Sequence, residues 1–248
     1  MRIVAIETSG RAGSVALLDG DLVIRESSLS TDKRSARTLA PAIRDILQSA
    51  GWQAADVRLI AVAVGPGSFT SLRIGVTTAK TFAYAVQAEV VGVNTLEVIA
   101  AQAPTDVNRL SVILDAQRQQ VFAGEFSRGA DALFDWYGST TVVENDMWIA
   151  GLRPSVAVSG PGLEKLATRL PLHVRAVASA LWSPRASNVG QLGWRRYQSG
   201  QRDDLWHLVP QYFRRSAAEE KLERTTNQLP DDRGSRGKSS RDEGAPRT

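Results

Sequence analysis

The chain of 248 residues contains no cysteine, and that absence closes several chemistries together. Disulfides, thiolate nucleophiles and zinc–thiolate centres are all excluded. Histidine is nearly as scarce, with only His173 and His207. Their spacing forms neither HxxxH nor HExxH, the patterns that set two imidazoles on one helix face around zinc. No GxSxG elbow occurs and neither histidine stands in a recognisable triad context, so serine nucleophile chemistry lacks its parts as well. No run approaches the roughly 20 apolar residues that cross a bilayer. Met1-Arg2-Ile3-Val4-Ala5-Ile6-Glu7 is too short and too soon acidic for a secretory leader and reads as a buried strand. These absences lead to the expectation of a cytoplasmic protein without metal, cofactor or membrane contact.

Single-sign charge is also missing. The chain has 30 Lys/Arg and 26 Asp/Glu, a net charge of +4. From Arg214 onward nine Lys/Arg accompany seven Asp/Glu, so the excess is shared between tail and body. No block of like charge marks a phosphate track, and aromatic residues are not interleaved with Arg or Lys for base stacking. RNA binding by the chain alone is therefore not expected.

What is present reads as an α/β fold. Arg2–Glu7, Ser14–Leu18 and Leu22–Ser28 have strand patterns, with Asp19-Gly20-Asp21 as a hairpin turn. Residues Asp32 to Ala50 carry apolar positions at a 3.6-residue period, including Leu39, Ile43 and Leu47. Pro41 inside that span marks either a kink or a later helix start. Strand Leu59–Val64, a helix ending near Val86, strand Glu89–Val93 and a helix from Asn94 or Thr95 to Gln102 complete the first half. Ala103-Pro104-Thr105-Asp106 reads as a junction. Strands are then expected at Ser111–Ala116, Gln120–Phe126, Ser139–Val143 and Val156–Ser159, with helices at Asn145–Ala150, Gly162–Arg169 and Ala186–Tyr197. The domain expectation is a lobe over 1–103, a second over 104–229, and a disordered polar tail over 230–248, too poor in apolar residues to offset its ordering entropy.

The most informative run is Gly65-Pro66-Gly67-Ser68-Phe69-Thr70-Ser71-Leu72-Arg73-Ile74-Gly75. It joins a buried strand to a helix through a tight corner, which either cradles an anion at the helix N-terminus or simply turns the chain. It lacks the lysine of GxxxxGK[ST]. Behind it Ser71, Gly75, Ala79 and Ala83 recur every fourth residue, leaving one helix face almost without side chains. Glycine inside a helix costs about 1 kcal/mol relative to alanine, so another backbone or side chain must approach that face closely. The spacing alone does not say whether the approaching surface lies inside the chain or outside it.

The stretch from Gly65 to Ala85 resembles the signature of the bacterial TsaB (YeaZ) family. Ile3-Val4-Ala5-Ile6-Glu7-Thr8-Ser9, Leu114-Asp115-Ala116-Gln117-Arg118 and Pro210-Gln211-Tyr212-Phe213-Arg214 follow that family's order, so the resemblance spans about residues 1 to 220. It implies two ribonuclease-H-like lobes of the actin-like ATPase superfamily (ASKHA), the second degenerate. It implies a non-catalytic subunit that activates a TsaD-type catalytic partner for threonylcarbamoyl transfer to the tRNA adenosine beside the anticodon. A TsaE-type ATPase joins that machinery, tRNA is met only through the complex, and a weak homodimer forms when the partner is absent. The partner-binding residues implied are Leu39, Ile43, Leu47, Ser71, Leu72, Gly75, Ala79 and Ala83. Two departures stand out: Ser71 where members usually have glycine, and Arg34-Ser35-Ala36-Arg37 without the histidine often found before the first bundle helix.

A competing expectation is an actin-like kinase or hydrolase acting alone. It would gather Glu7, Thr8, Ser9 and Gly67 around a metal–nucleotide complex, with Glu7 where nucleotide-binding relatives of the fold usually carry Asp. A protease, once proposed for the superfamily, lacks metal ligands here.

Overall fold

The computed structural model describes residues 1–29, 35–129 and 133–214, and the chain from Met1 to Arg214 forms one compact unit. β1 (Arg2–Glu7), β2 (Ser14–Asp19) and β3 (Leu22–Ser28) form an antiparallel meander. Gly20, at φ 62°, makes the turn between the last two. β4 (Leu59–Gly65) and β5 (Glu89–Asn94) add parallel strands, giving the order β3-β2-β1-β4-β5. The apolar runs Ile3–Ile6, Leu59–Val64 and Val90–Val93 belong in strands covered on both faces.

α1 (Ser35–Ser49) and α2 (Phe69–Val86) cover one face. Leu39, Ile43, Ile46 and Leu47 of α1 and Val76, Ala79 and Ala83 of α2 pack with Val4, Ile6, Ile60 and Val62. α1 runs through Pro41, which is exposed, and Gly51 follows its end at φ 66°. The expected helix start at Asp32 lies outside the described residues. α3 (Thr95–Ala100) is capped by the Asn94 side chain, which accepts from Leu96 N at 2.8 Å.

The second sheet contains β6 (Arg109–Gln117), β7 (Gln120–Arg128), β8 (Phe134–Glu144) and β9 (Ala157–Ser159), ordered β8-β7-β6-β9. β6, β7 and β8 are antiparallel neighbours and β9 runs parallel to β6. This repeats the order of the first four strands of the first sheet. The fold is thus two ribonuclease-H-like lobes; in the second, the fifth-strand position beside β9 holds a single parallel bridge, Val158 to Ala176. α4 (Asn145–Ala150) and α5 (Leu163–Leu166) are short. β8 begins earlier than the expected Ser139. Its register shifts between Ala123 and Glu125 of β7, close to Gly138 at φ 94°, and that irregularity breaks the alternation a strand shows in sequence.

α6 (Ala186–Gln198) follows the second lobe in sequence but packs on the first sheet. Ala186 and Val189 join Ile3, Ala5, Ala16, Leu18, Ala61 and Val91 in one buried cluster. A Cβ on Gly190 would stand 2.3 Å from Leu18 Cδ1, and one on Gly193 would stand 2.5 Å from Ala61 Cβ, so this helix needs both glycines to lie flat. Residues after α6 stay on the same sheet: Asp203 bridges Val90, and Gln211 N donates to Val64 O at 2.8 Å. A boundary at Ala103 therefore divides the strands but not the packing. The expected tail, 230–248, lies outside the described residues.

Candidate functional site

β1 delivers Glu7, Thr8 and Ser9 to the C-terminal edge of the parallel strands, the position where open α/β sheets bind ligands. Here the position is filled by the chain itself. Glu7, Thr8 and Ser9 are 0%, 1% and 2% exposed. Glu7 Oε1 accepts from Ser9 N at 2.6 Å and from the Ser9 hydroxyl. Glu7 Oε2 is buried and meets no hydrogen-bond partner among the described residues. Burial pushes the Glu7 carboxyl up to about 7, against the two hydrogen bonds from Ser9 and with a smaller push from the Glu26 charge.

The Gly-Pro-Gly corner presses on this turn. A Cβ on Gly67 would lie 2.5 Å from Ser9 O, while Ser68 N donates to that oxygen at 2.8 Å. α2 completes the seal. Thr8 Oγ1 donates to Ser71 O at 2.9 Å, and a Cβ on Gly75 would fall 2.2 Å from Thr8 Oγ1. Glu7, Thr8, Ser9 and Gly67 do come together, as nucleotide binding would need, with Glu7, Thr8 and Ser9 buried and Gly67 pressed on Ser9. Ser68 occupies the N-cap position, yet its hydroxyl donates to Ser71 Oγ at 3.1 Å instead of capping a backbone N–H.

The small-residue strip is an internal surface. Leu72, Gly75, Ala79 and Ala83 are buried, as are Leu39, Ile43 and Leu47, and Ser71 is half-buried. This corrects the expectation that they face a partner: the surface approaching Gly75 is Thr8 of the same chain. The outward residues on these helices are others. Ala40 and Arg44 of α1 and Thr77, Thr81 and Ala85 of α2 are exposed.

The opposite flank of α2 carries a C-terminal strap that the expected docking of Tyr212, Phe213 and Arg214 only partly anticipates. Tyr212 stacks on Phe69 with centroids 4.2 Å apart, and Arg73 Nε donates to the Tyr212 hydroxyl oxygen at 2.8 Å while its guanidinium lies 3.9 Å from the Phe69 centroid. Lys80 Nζ donates to the carbonyls of Trp206 and Leu208, and Trp206 meets Tyr84 edge-on. Phe213 packs on Phe122, and Arg214 donates to Ala116 O. Phe69, Arg73, Lys80 and Tyr84 share one side of α2, a helical spacing that could have signalled the strap.

The remaining candidates do not assemble. Asp115 takes Lys165 and Glu125 takes the Ser111 hydroxyl, so the two acids are not paired. His207 bonds Asp204, and among the described residues no group of three potential metal ligands occurs. No described helix is long and apolar enough to cross a membrane.

A family model described as "TsaD: tRNA N6-adenosine threonylcarbamoyltransferase" matches residues 24–222. The tRNA threonylcarbamoyladenosine biosynthesis protein TsaB of Bacillus subtilis is 32% identical over 228 residues, 89% of this chain and 97% of that protein. This chain belongs to the TsaB family. The TsaB protein of Escherichia coli is 28% identical over 232 residues, 90% of this chain and 98% of its own length. Among solved structures, YeaZ from Pseudomonas aeruginosa superposes with a TM-score of 0.75 at 26% identity, covering 85% of this chain and 99% of that one.

Proposed function

We propose that this TsaB chain is a non-catalytic subunit of the tRNA threonylcarbamoyladenosine machinery, binding a TsaD-type catalytic subunit and activating it for threonylcarbamoyl transfer. The observation that carries the reading is Gly75 of α2 seated on Thr8, which leaves Glu7, Thr8 and Ser9 buried. An actin-like kinase or hydrolase would need those side chains accessible to its metal–nucleotide complex. With the strip buried, the partner face falls to the outward residues of the same helices, Ala40 and Arg44 on α1 and Thr77, Thr81 and Ala85 on α2. The small side chains of Ala40, Thr77, Thr81 and Ala85 suit a helix approaching from outside. The same face serves a weak homodimer when the partner is absent. A TsaE-type ATPase joins the assembly, which works in the cytoplasm and meets tRNA through the complex.

The test is co-purification with the TsaD-type subunit of the same host, followed by reconstituted tRNA modification with and without this chain. Modification that depends on the chain, with no ATP binding by the chain alone, is the expected result. Micromolar ATP affinity of the isolated chain, or full modification in its absence, would overturn the reading.

A further inference from the structure

The first sheet ends in an open, apolar edge. Every residue of β3 is exposed, including Leu22 at 64%, Val23 at 36% and Ile24 at 39%. Consecutive exposed apolar residues on an edge strand leave apolar surface and unpaired backbone groups to water, the arrangement that accepts a further extended chain. The register against β2 shifts at this point. Leu17 faces Arg25 and Leu18 faces Val23, so Ile24 is an extra residue in β3. A bulge re-aims side chains, and here Ile24 and Arg25 both line a groove of about 820 Å³ between β3 and α1. Pro41, Ala42 and Ile46 of α1 supply its other wall.

The charges in the groove are unequal in their commitments. Glu26 accepts from Ser187 N at 3.1 Å and Ser187 Oγ at 2.9 Å, and Asp45 is ion-paired with Arg44 at 2.7 Å. Arg25 and Arg37, which also line it, have no hydrogen-bond or ion-pair partner among the described residues. The groove thus offers two guanidinium groups with no hydrogen-bond or ion-pair partner among the described residues, beside the charged but hydrogen-bonded Glu26, together with an apolar wall and an edge strand.

We infer that this groove binds an extended acidic segment of another protein, laid along β3 with carboxylates on Arg25 and Arg37. A nucleic acid would satisfy the charge but brings neither backbone amides for the strand edge nor apolar groups for Ile24 and Ile46. A second copy of this chain is disfavoured, because two β3 strands paired about a two-fold axis centred on Arg25 set that residue against its own equivalent. The groove adjoins the proposed TsaD-type face through the Arg44–Asp45 ion pair, but the inference rests on β3 and the groove beside it and not on that partner.

Fluorescence anisotropy with the full chain tests it. The probe is a labelled seven-residue peptide of alternating valine and glutamate. Controls are the valine–lysine counterpart and two versions N-methylated on one or the other set of alternate amides. Saturable binding of the glutamate peptide is expected, with at least tenfold weaker binding of the lysine peptide and of one methylated version. The double variant Arg25→Glu/Arg37→Glu should weaken binding at least tenfold at an unchanged Tm, since both side chains are exposed. The inference fails if the glutamate peptide does not bind at millimolar concentration, or if the lysine peptide binds equally. It also fails if the double variant or both methylated peptides bind like their parents.

Discussion

Both lobes place a Gly-Pro-Gly corner after their fourth strand, Gly65-Pro66-Gly67 after β4 and Gly160-Pro161-Gly162 after β9. In the first lobe the corner feeds an 18-residue helix; in the second it feeds one of 4 residues. The local contacts are alike. Gly67 presses on Ser9 O and Ser68 N donates to it, while Gly160 presses on Ile113 O and Gly162 N donates to that oxygen at 3.2 Å. The outcomes differ. α2 continues far enough to set Gly75 on Thr8 and bury the turn after β1. α5 ends early, and the turn after β6 stands in solvent, with Gln117, Arg118 and Gln119 at φ 63°, 51° and 63°. Left-handed backbone at non-glycine residues costs on the order of 1 kcal/mol each, and Asp115, bonded to Gln117 N and Lys165, helps hold the tip in place. The corner is common to both lobes, whereas closure of the first strand's turn depends on the length of the helix behind it.

Gly75→Leu attacks that closure most directly. With Thr8 Oγ1 2.2 Å from the new Cβ, overpacking should cost about 3 kcal/mol and lower Tm by on the order of 10 °C. Thr81→Arg on the exposed side of the same helix should leave Tm unchanged and weaken binding to the TsaD-type subunit. Calorimetry and affinity on the same preparations separate the two, and an unchanged Tm for Gly75→Leu would return the strip to the surface.

Glu7 is expected to give the first lobe a pH dependence. Its native pKa of about 7 lies above the ordinary 4.5, so the folded state keeps a proton that the unfolded chain releases. Its stabilising contribution is complete below pH 4.5 and is lost as pH rises to about 7, on the order of 3 kcal/mol in all. Urea titrations from pH 4.5 to 8 should show that slope in the native chain and a flatter one in Glu7→Gln. Equal slopes would mean that Glu7 is ionised in the folded protein.

The corners themselves can be compared by paired alanine substitutions. Gly67→Ala forces a Cβ to 2.5 Å from a backbone oxygen and should cost about 2 kcal/mol. Gly162→Ala meets first the Ile113 side chain at 3.0 Å, which can shift, and should cost under about 1 kcal/mol. Similar losses in denaturant midpoint for both would remove the asymmetry. A comparably small effect belongs to the strap: Tyr212→Ala, which removes a stacked ring and the hydrogen bond from Arg73, should cost about 1 kcal/mol and leave the slope at Glu7 intact.

Strand order, the hairpin at Gly20 and the close-packed face of α2 were legible in the sequence because period, turn chemistry and residue size are local. The direction of that face was not. A small-residue repeat specifies that something comes near, and only the tertiary arrangement names Thr8. Glu7, Thr8, Ser9 and Gly67 were legible as a group at the end of β1 but not as a plug, since their mutual contact depends on how α2 crosses the sheet. The second Gly-Pro-Gly at 160–162 was a readable sign of lobe repetition. The destination of α6 was not readable, because sequence proximity assigned it to the lobe it merely follows.

That destination bears on how the protein is made. One face of the first sheet, with Ile3, Ala5, Leu18, Ala61 and Val91, receives its cover from residues 186–198. A nascent chain emerging from the ribosome has all five strands of this sheet available by Asn94, yet that face stays bare for about another hundred residues of translation. The opening lobe is therefore the first to begin folding and, with the strap after α6, among the last to finish.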